Sequence, residues 1–384
     1  MADYTTIDDP SAHFQAIAYT GNGSHPRNIT NTGNSDLKGD FIWVKNRTDA
    51  GTNHVTCNSS LGFDAPTGQG LSGGPYGGQL SIDSSAAMST PAATYGYVSA
   101  HLTDGFTVAA GGTNGDTCNA NNKDFIAYQW KCNGGTTSSN TDGNITSTVQ
   151  VNSTAGFSIG MYEGSGSDSA TVGHGLGAIP DLFIVKGRSS NGGAAQYWVA
   201  GAPNHPNFGN DASKHVFMDG TQPVMNNTTI WRNEAFTSSI VPMGAHAAIN
   251  YDGGDYIFYA FKSVQGYSKI GHYVGNGQNN GPFVYTGFKP RWIIIKNLDA
   301  TQVWIMYDGA RKPFNQDAAV NTLYPSETTA EYTGASYHNL DILSNGFKLR
   351  LTDASQNGSG VDYLYMAFAE NPFVTSTGIP TTAR

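Results

Sequence analysis

Short runs of apolar residues, alternating or nearly continuous and bounded by Gly, Asn or Asp, recur along the whole chain, and three of them are near copies. They are Asp124-Phe-Ile-Ala-Tyr-Gln-Trp-Lys131, Asp255-Tyr-Ile-Phe-Tyr-Ala-Phe-Lys262 and Asp362-Tyr-Leu-Tyr-Met-Ala-Phe-Ala369. Each is too short for a buried helix and rich in aromatic and branched side chains, which predicts a strand. Side chains alternate across a strand, so one face carries Ile126/Tyr128/Trp130, Ile257/Tyr259/Phe261 or Leu364/Met366/Phe368. The opposite face is apolar too, apart from Gln129 in the first copy. A strand apolar on both faces belongs in the middle of a sheet that is covered on both sides.

Two further landmarks repeat in the same order. A Tyr-x-Gly-x-Gly motif occurs at Tyr19–Gly23, Tyr162–Gly166 and Tyr273–Gly277, and an apolar strand ending in lysine at Phe41–Lys45, Leu182–Lys186 and Trp292–Lys296. The differences in spacing are of a size that loops absorb. The sequence is therefore a triplicated unit. The expected fold is all-β, with three tandem antiparallel β-sandwich repeats at residues 14–133, 153–271 and 272–373. Residues 1–13 read as an N-terminal arm, polar and without periodicity. Residues 134–152, rich in Gly, Ser, Thr and Asn, read as a linker, and 374–384 as an extended C-terminal tail. Pro242 cannot donate to a ladder and predicts an edge strand. The longest insertion, Gly62–Thr94, is a loop of the length that carries function or stays unstructured.

Composition narrows the classes. Of 384 residues only 13% are charged, with 48 Gly and 20 Tyr, which suits a loop-rich β protein and not long helices. A net charge of −9 offers no basic surface and argues against nucleic-acid binding. No apolar run is long enough to span a membrane, and the first ten residues lack the basic start and apolar core of a signal peptide. Three cysteines, Cys57, Cys118 and Cys132, cannot all pair within one chain and read as reduced thiols, a Cys118–Cys132 bridge being the alternative.

Several stretches, Thr137–Thr148, Ala155–Ile159, Ala170–Gly177, Val264–Lys269 and Ala367–Phe373, resemble a family of repeat proteins encoded by tailed bacteriophages, notably marine ones. Members are labelled tail-fibre or virion structural proteins. The resemblance implies jelly-roll sandwiches of the concanavalin or laminin-G kind and a place on the particle surface after synthesis in the bacterial host cytoplasm. It also implies a homo-oligomer, with a trimer favoured. Three roles follow: an adhesin that binds a host-surface glycan or outer-membrane component, a head-decoration or connecting protein, or a polysaccharide depolymerase. The arm would grip other virion proteins.

Candidate chemistry is sparse. Gly70-Leu-Ser72-Gly-Gly74 matches a nucleophile elbow, but the prolines and glycines around it forbid the strand and helix that the motif requires. The ten histidines show no zinc-protease spacing. His174 lies in a Gly-flanked turn and suits a backbone hydrogen bond, and Asp252-Gly-Gly-Asp255 suits a hairpin turn more than a calcium site. No catalytic residue, metal ligand or cofactor is assigned. Trp198, Trp231, Trp304 and Tyr76 are the candidates for surface recognition, against the alternative that large aromatics in strands form core.

Overall fold

A computed structural model of the chain describes residues 4–61, 78–88, 95–111, 117–208, 213–311, 315, 321–334 and 338–381. It is all-β and antiparallel. In the first unit Phe14–Thr20, Asp124–Trp130, Phe41–Asn46, Val55–Asn58 and Leu80–Ser81 form one sheet in that order. In the third, Ser268–Val274, Asp362–Pro372, Phe288–Asn297 and Ile305–Asp308 repeat the order of the first four. In the second, Phe157–Glu163, Asp255–Phe261, Leu182–Gly187 and Trp198–Gly201 repeat it again inside a wider sheet of eight strands. Thus in every unit the strand opening the repeat pairs with the closing strand, which pairs with the lysine strand. A small sheet covers one face of each large sheet, giving a β-sandwich-like unit. Pro242 lies in the two-stranded one, hence on an edge as expected. Among the described residues no helix is long and apolar enough to cross a membrane.

The other face of each large sheet is covered by the other two units. Ile126, Tyr128 and Trp130, Ile257, Tyr259 and Phe261, and Leu364, Met366 and Phe368 all belong to one buried cluster. Rings cross every boundary. Phe41 lies 4.5 Å from Tyr259, Phe14 stacks on Phe368 at 5.1 Å, Trp130 meets Trp292 edge-on at 5.5 Å, and Phe261 meets Phe368 at 6.1 Å. Edge-on and offset pairs of this kind add about 0.5–1.5 kcal/mol each beyond the area they bury.

The three units close in a ring. The amide of Gln196 in the second unit donates to Ser85 O of the first at 2.8 Å, that of Gln302 in the third to Thr221 O of the second at 2.8 Å, and that of Gly51 in the first to Thr328 O of the third at 2.8 Å. The repeated lysines lie beside these contacts, fully buried. Lys45 Nζ donates to Thr52 O, Lys186 Nζ to Gln196 O and Ser84 O, and Lys296 Nζ to Gln302 O and Thr221 O. Each thus satisfies carbonyls of its own unit, and in two cases those of the next.

The Tyr-x-Gly-x-Gly motif is a clamp at the end of each sandwich. Tyr19, Tyr162 and Tyr273 donate their hydroxyls to the carbonyls of Cys118, Ile249 and Gln356 at 2.6, 2.5 and 2.7 Å. The next residue in each is a fully buried asparagine, Asn119, Asn250 or Asn357. Its Oδ1 accepts from the amide between the two glycines, at 3.1, 2.8 and 2.9 Å. A Cβ on the first glycine would come within 1.9, 2.2 or 2.3 Å of a carbonyl oxygen, and the second has φ of +68°, +64° or +63°, so both positions require glycine.

Three expectations are corrected. Residues 134–152 are not a linker: Ser138–Asn140 and Ser147–Asn152 extend the second large sheet, with Val149 in its core and Gln150 Nε2 donating to Ser59 Oγ at 3.0 Å. Their polar composition hid an alternation suited to a sheet border. Residues 4–13 are not a free arm: Ile7 is buried, Thr5 Oγ1 donates to Gln265 O at 2.8 Å and Tyr4 Oη to Gly287 O at 2.7 Å. Residues 374–381 turn back on themselves, and Ser376 donates its amide to Asp8 Oδ1 at 2.6 Å. The three cysteines are buried, and none forms a disulfide.

The seam of the third unit with the first holds a buried ion network. Arg311 donates from Nε to Asp308 Oδ2 at 2.5 Å and from a terminal nitrogen to Glu331 Oε1 at 2.5 Å, Arg47 binds Glu331 at 2.7 Å, and Tyr128 Oη donates to Asp308 at 2.6 Å. Arg311→Met leaves the buried Asp308 carboxylate without its cation, while Glu331 keeps Arg47, and is expected to cost about 3–5 kcal/mol, read as a drop in the denaturant midpoint. An unchanged midpoint would remove the network from the list of what holds the seam. Burial pushes Lys45 and Lys186 down to about 8 and Lys296 to about 7. A lysine in the unfolded chain titrates near ~10.4, so between about 7 and about 10 the unfolded chain holds more protons and these lysines make stability rise with pH. The buried thiols work the opposite way over that range, so a difference isolates the lysine: the stability of the native chain relative to Lys296→Met is expected to increase from pH 7 to 10. A flat difference would contradict it.

Candidate functional site

The outer face of the small sheet in the third unit carries the clearest exposed aromatic pair. Its strands run in the order Phe283–Tyr285, Gly346–Leu349, Leu340–Leu343. Alternation puts Val284, Phe347 and Leu349 in the core and sends Phe283 and Tyr285 outward, 45% and 52% exposed. The two rings share one face of an edge strand, spaced by two residues, roughly 6–7 Å apart. Gly346, directly opposite Tyr285, leaves room for Phe283, whose ring would lie 3.0 Å from any added Cβ.

Polar groups surround the rings. Tyr4 reaches the pair from the N-terminal segment, its hydroxyl 3.2 Å from that of Tyr285. Partial burial, then the hydrogen bond with Tyr285, raises the Tyr4 phenol above its usual range, so it remains a hydrogen-bonding hydroxyl. Lys348, across from Phe283, donates to Gly281 O at 2.7 Å, and Arg350 Nε donates to Asp341 Oδ2 at 2.5 Å. The surface offers two ring faces, hydroxyls and a fixed ion pair.

A second concavity, of about 320 Å³, lies where the first and third units meet and is lined by Ser11, Gln15, Asn34, Arg291, Glu370 and Asn371, among others. Its charged groups are engaged: Arg291 donates to Ala16 O at 3.1 Å and Glu370 pairs with Lys289 at 2.8 Å. The one ring in its wall, Phe14, is 2% exposed and offers no face to a ligand. The aromatic pair is the better candidate.

A family described as a domain of unknown function, DUF7483, matches residues 9–372. The chain belongs to it. No curated protein and no solved structure matches the chain. Since the match runs through all three repeats, the DUF7483 unit is the whole closed body and not one sandwich.

Within this DUF7483 fold the predicted recognition residues lie elsewhere than expected. Trp198, Trp231 and Trp304 are buried at 1%, 0% and 2% exposure, which removes them from the surface. Trp198 Nε1 donates to Ser81 O of the first unit at 2.7 Å and Trp304 Nε1 to Phe217 O of the second at 2.9 Å, so both are seam residues. Trp231, on the short helix Thr228–Trp231, packs edge-on against Phe183 and Phe236. Tyr76, Ser72 and most of the Gly62–Thr94 insertion lie outside the described residues. His174 accepts from the Leu176 amide at 3.2 Å, as its turn implied, whereas Asp252–Asp255 lies in a turn between the short helix Ala247–Asn250 and the strand Asp255–Phe261 and not in a hairpin. Phe283 and Tyr285 were missed, although aromatics at alternate positions between Gly281 and Gly287 were a legible signal. Trp198→Ala and Trp231→Ala are expected to cost about 3–5 kcal/mol each, seen as lowered denaturation midpoints. Midpoints unchanged by either substitution would return these residues to the surface.

Proposed function

We propose that this chain is a surface protein of a tailed-bacteriophage particle that attaches to host glycan through the Phe283–Tyr285 face, binding without cleaving. The observation that carries the reading is the exposure of two neighbouring rings on one face of a strand held rigid by a packed sandwich. Stacking of a sugar's C–H face on such rings removes apolar surface from water, while Tyr285, Tyr4 and Lys348 can serve its hydroxyls. The phage setting rests on the sequence resemblance, which also implies the jelly-roll, laminin-G-like character of each sandwich. One such face binds sugar weakly. Several copies on a particle, or in a homo-oligomer, raise the effective affinity by about a hundredfold or more when they engage together.

The test adds the purified chain and its Phe283→Ala/Tyr285→Ala variant to host cells and to their isolated polysaccharide. The native chain is expected to bind and block phage adsorption, the double variant to lose at least about tenfold in affinity with its melting temperature kept, and neither to release reducing ends. New reducing ends would make the protein a depolymerase. Absence of binding would favour the head-decoration role, and unchanged binding by the variant would move the site.

A further inference from the structure

Polar side chains meet at the inner end of each seam of the ring, and the set differs from seam to seam. Where the first unit meets the second, Asn58 Nδ2 donates to Tyr259 Oη at 3.2 Å, and where the third meets the first, Asp308 accepts from Tyr128 and Arg311. By strand register, the positions corresponding to Asn58 and Tyr259 at the remaining seam are Ala202 and Met366, which carry no hydrogen-bonding pair. At that seam stand instead His205 of the second unit with His272 and Asp362 of the third. One ligand atom from each lies within 4.8 Å of the others. Asp362 Oδ1 is 3.9 Å from His205 Nε2 and 3.6 Å from His272 Nδ1, and the two imidazole centroids are 5.0 Å apart. These separations are too long for hydrogen bonds. His205 is 5% exposed, and both its Nε2 and Asp362 Oδ1 are buried without a hydrogen-bond partner. A buried ring nitrogen and a buried carboxylate oxygen thus face one another without a hydrogen bond.

The repeats supply an internal comparison. Register places Ala18 and Met161 where the third unit has His272. Asp124, which corresponds to Asp362, accepts from Thr20 Oγ1 at 2.9 Å, and Asp255 interacts with Arg188. Among the described residues, two imidazoles and a carboxylate therefore come together only at this seam of the three.

We propose that His205, His272 and Asp362 bind one divalent transition-metal ion, of the zinc type, that fastens the second unit to the third. Two imidazole nitrogens select such an ion over calcium or magnesium, which take oxygen ligands. Metal–ligand bonds of about 2.0–2.2 Å require the three groups to close in by less than about an ångström. The half-exposed His272 side leaves room for water as a fourth ligand. One bond opposes binding: the Asn207 amide donates to His205 Nδ1 at 3.0 Å, which puts the neutral ring's proton on Nε2. Coordination at Nε2 shifts that proton to Nδ1 and releases the Asn207 contact, so the 204–208 turn must yield slightly.

The experiment uses the full chain, free of any histidine tag and stripped with chelator, titrated with Zn2+ by calorimetry and with Co2+ by visible absorption. The expected result is one Zn2+ per chain, a Co2+ d–d band of nitrogen–oxygen coordination, and a melting temperature raised by saturating metal. His272→Ala and Asp362→Asn, at less enclosed positions, are expected to fold as the native chain does and to weaken Zn2+ binding by about a hundredfold, within the range seen for loss of a supporting ligand contact. His205→Ala is expected to do the same, with some loss of stability in the metal-free form. Absence of stoichiometric binding, or equal binding by His272→Ala and Asp362→Asn, would overturn the proposal.

Discussion

Everything in this structure depends on the burial of the inner faces of three sheets against one another. Each large sheet is apolar on both sides, and its own small sheet covers only one. A unit standing alone would leave Ile257, Tyr259 and Phe261, with Leu182, Ile184 and Ala200 beside them, in contact with water. That is a contiguous patch of the kind soluble monomers rarely expose. Three such faces turned toward a common centre solve the problem without a fourth element. Each sandwich-like unit therefore relies on its neighbours to cover one face of its large sheet.

Much of the fold was legible because local pattern decides it. The closing strands, the lysine strands and the Tyr-x-Gly-x-Gly motif stand out by recurrence, and each has one physical reason: a doubly covered strand, a buried ammonium that satisfies carbonyls, a turn that admits no Cβ. Asn119, Asn250 and Asn357 carry equal weight and went unnoticed, since asparagine is common in this composition and only its constant distance from the closing aspartate marks it. Relations between repeats were not legible. Nothing local distinguishes Trp198 and Trp304, which cap carbonyls of a neighbouring unit, from a tryptophan offered to solvent. The His205–His272–Asp362 cluster joins residues from two units and has no spacing signature. The strands Ser138–Asn140 and Ser147–Asn152 were disguised by polar residues that belong to a sheet's border.

Triplication within one chain also frees the copies to diverge. In an assembly of identical subunits a change at a seam appears at all three seams at once. Here the three have separate histories: an amide to a phenol at one, an arginine between carboxylates at another, two imidazoles and a carboxylate at the last. The backbone hydrogen bonds that close the ring stayed alike, because they depend on strand position and not on side chains. Among the described residues, the exposed pair on the outer face of a small sheet occurs in the third unit alone.

The hydrogen bonds of Asp8 with Ser376, and of Tyr4 with Gly287, have a mechanical consequence. The chain enters and leaves the body at one place, so the body hangs from its ends like a bead from a loop and does not lie in line between them. Tension applied to the two ends would peel those few contacts apart one after another before it loaded any strand. The sheets would be sheltered from force until the joint opened.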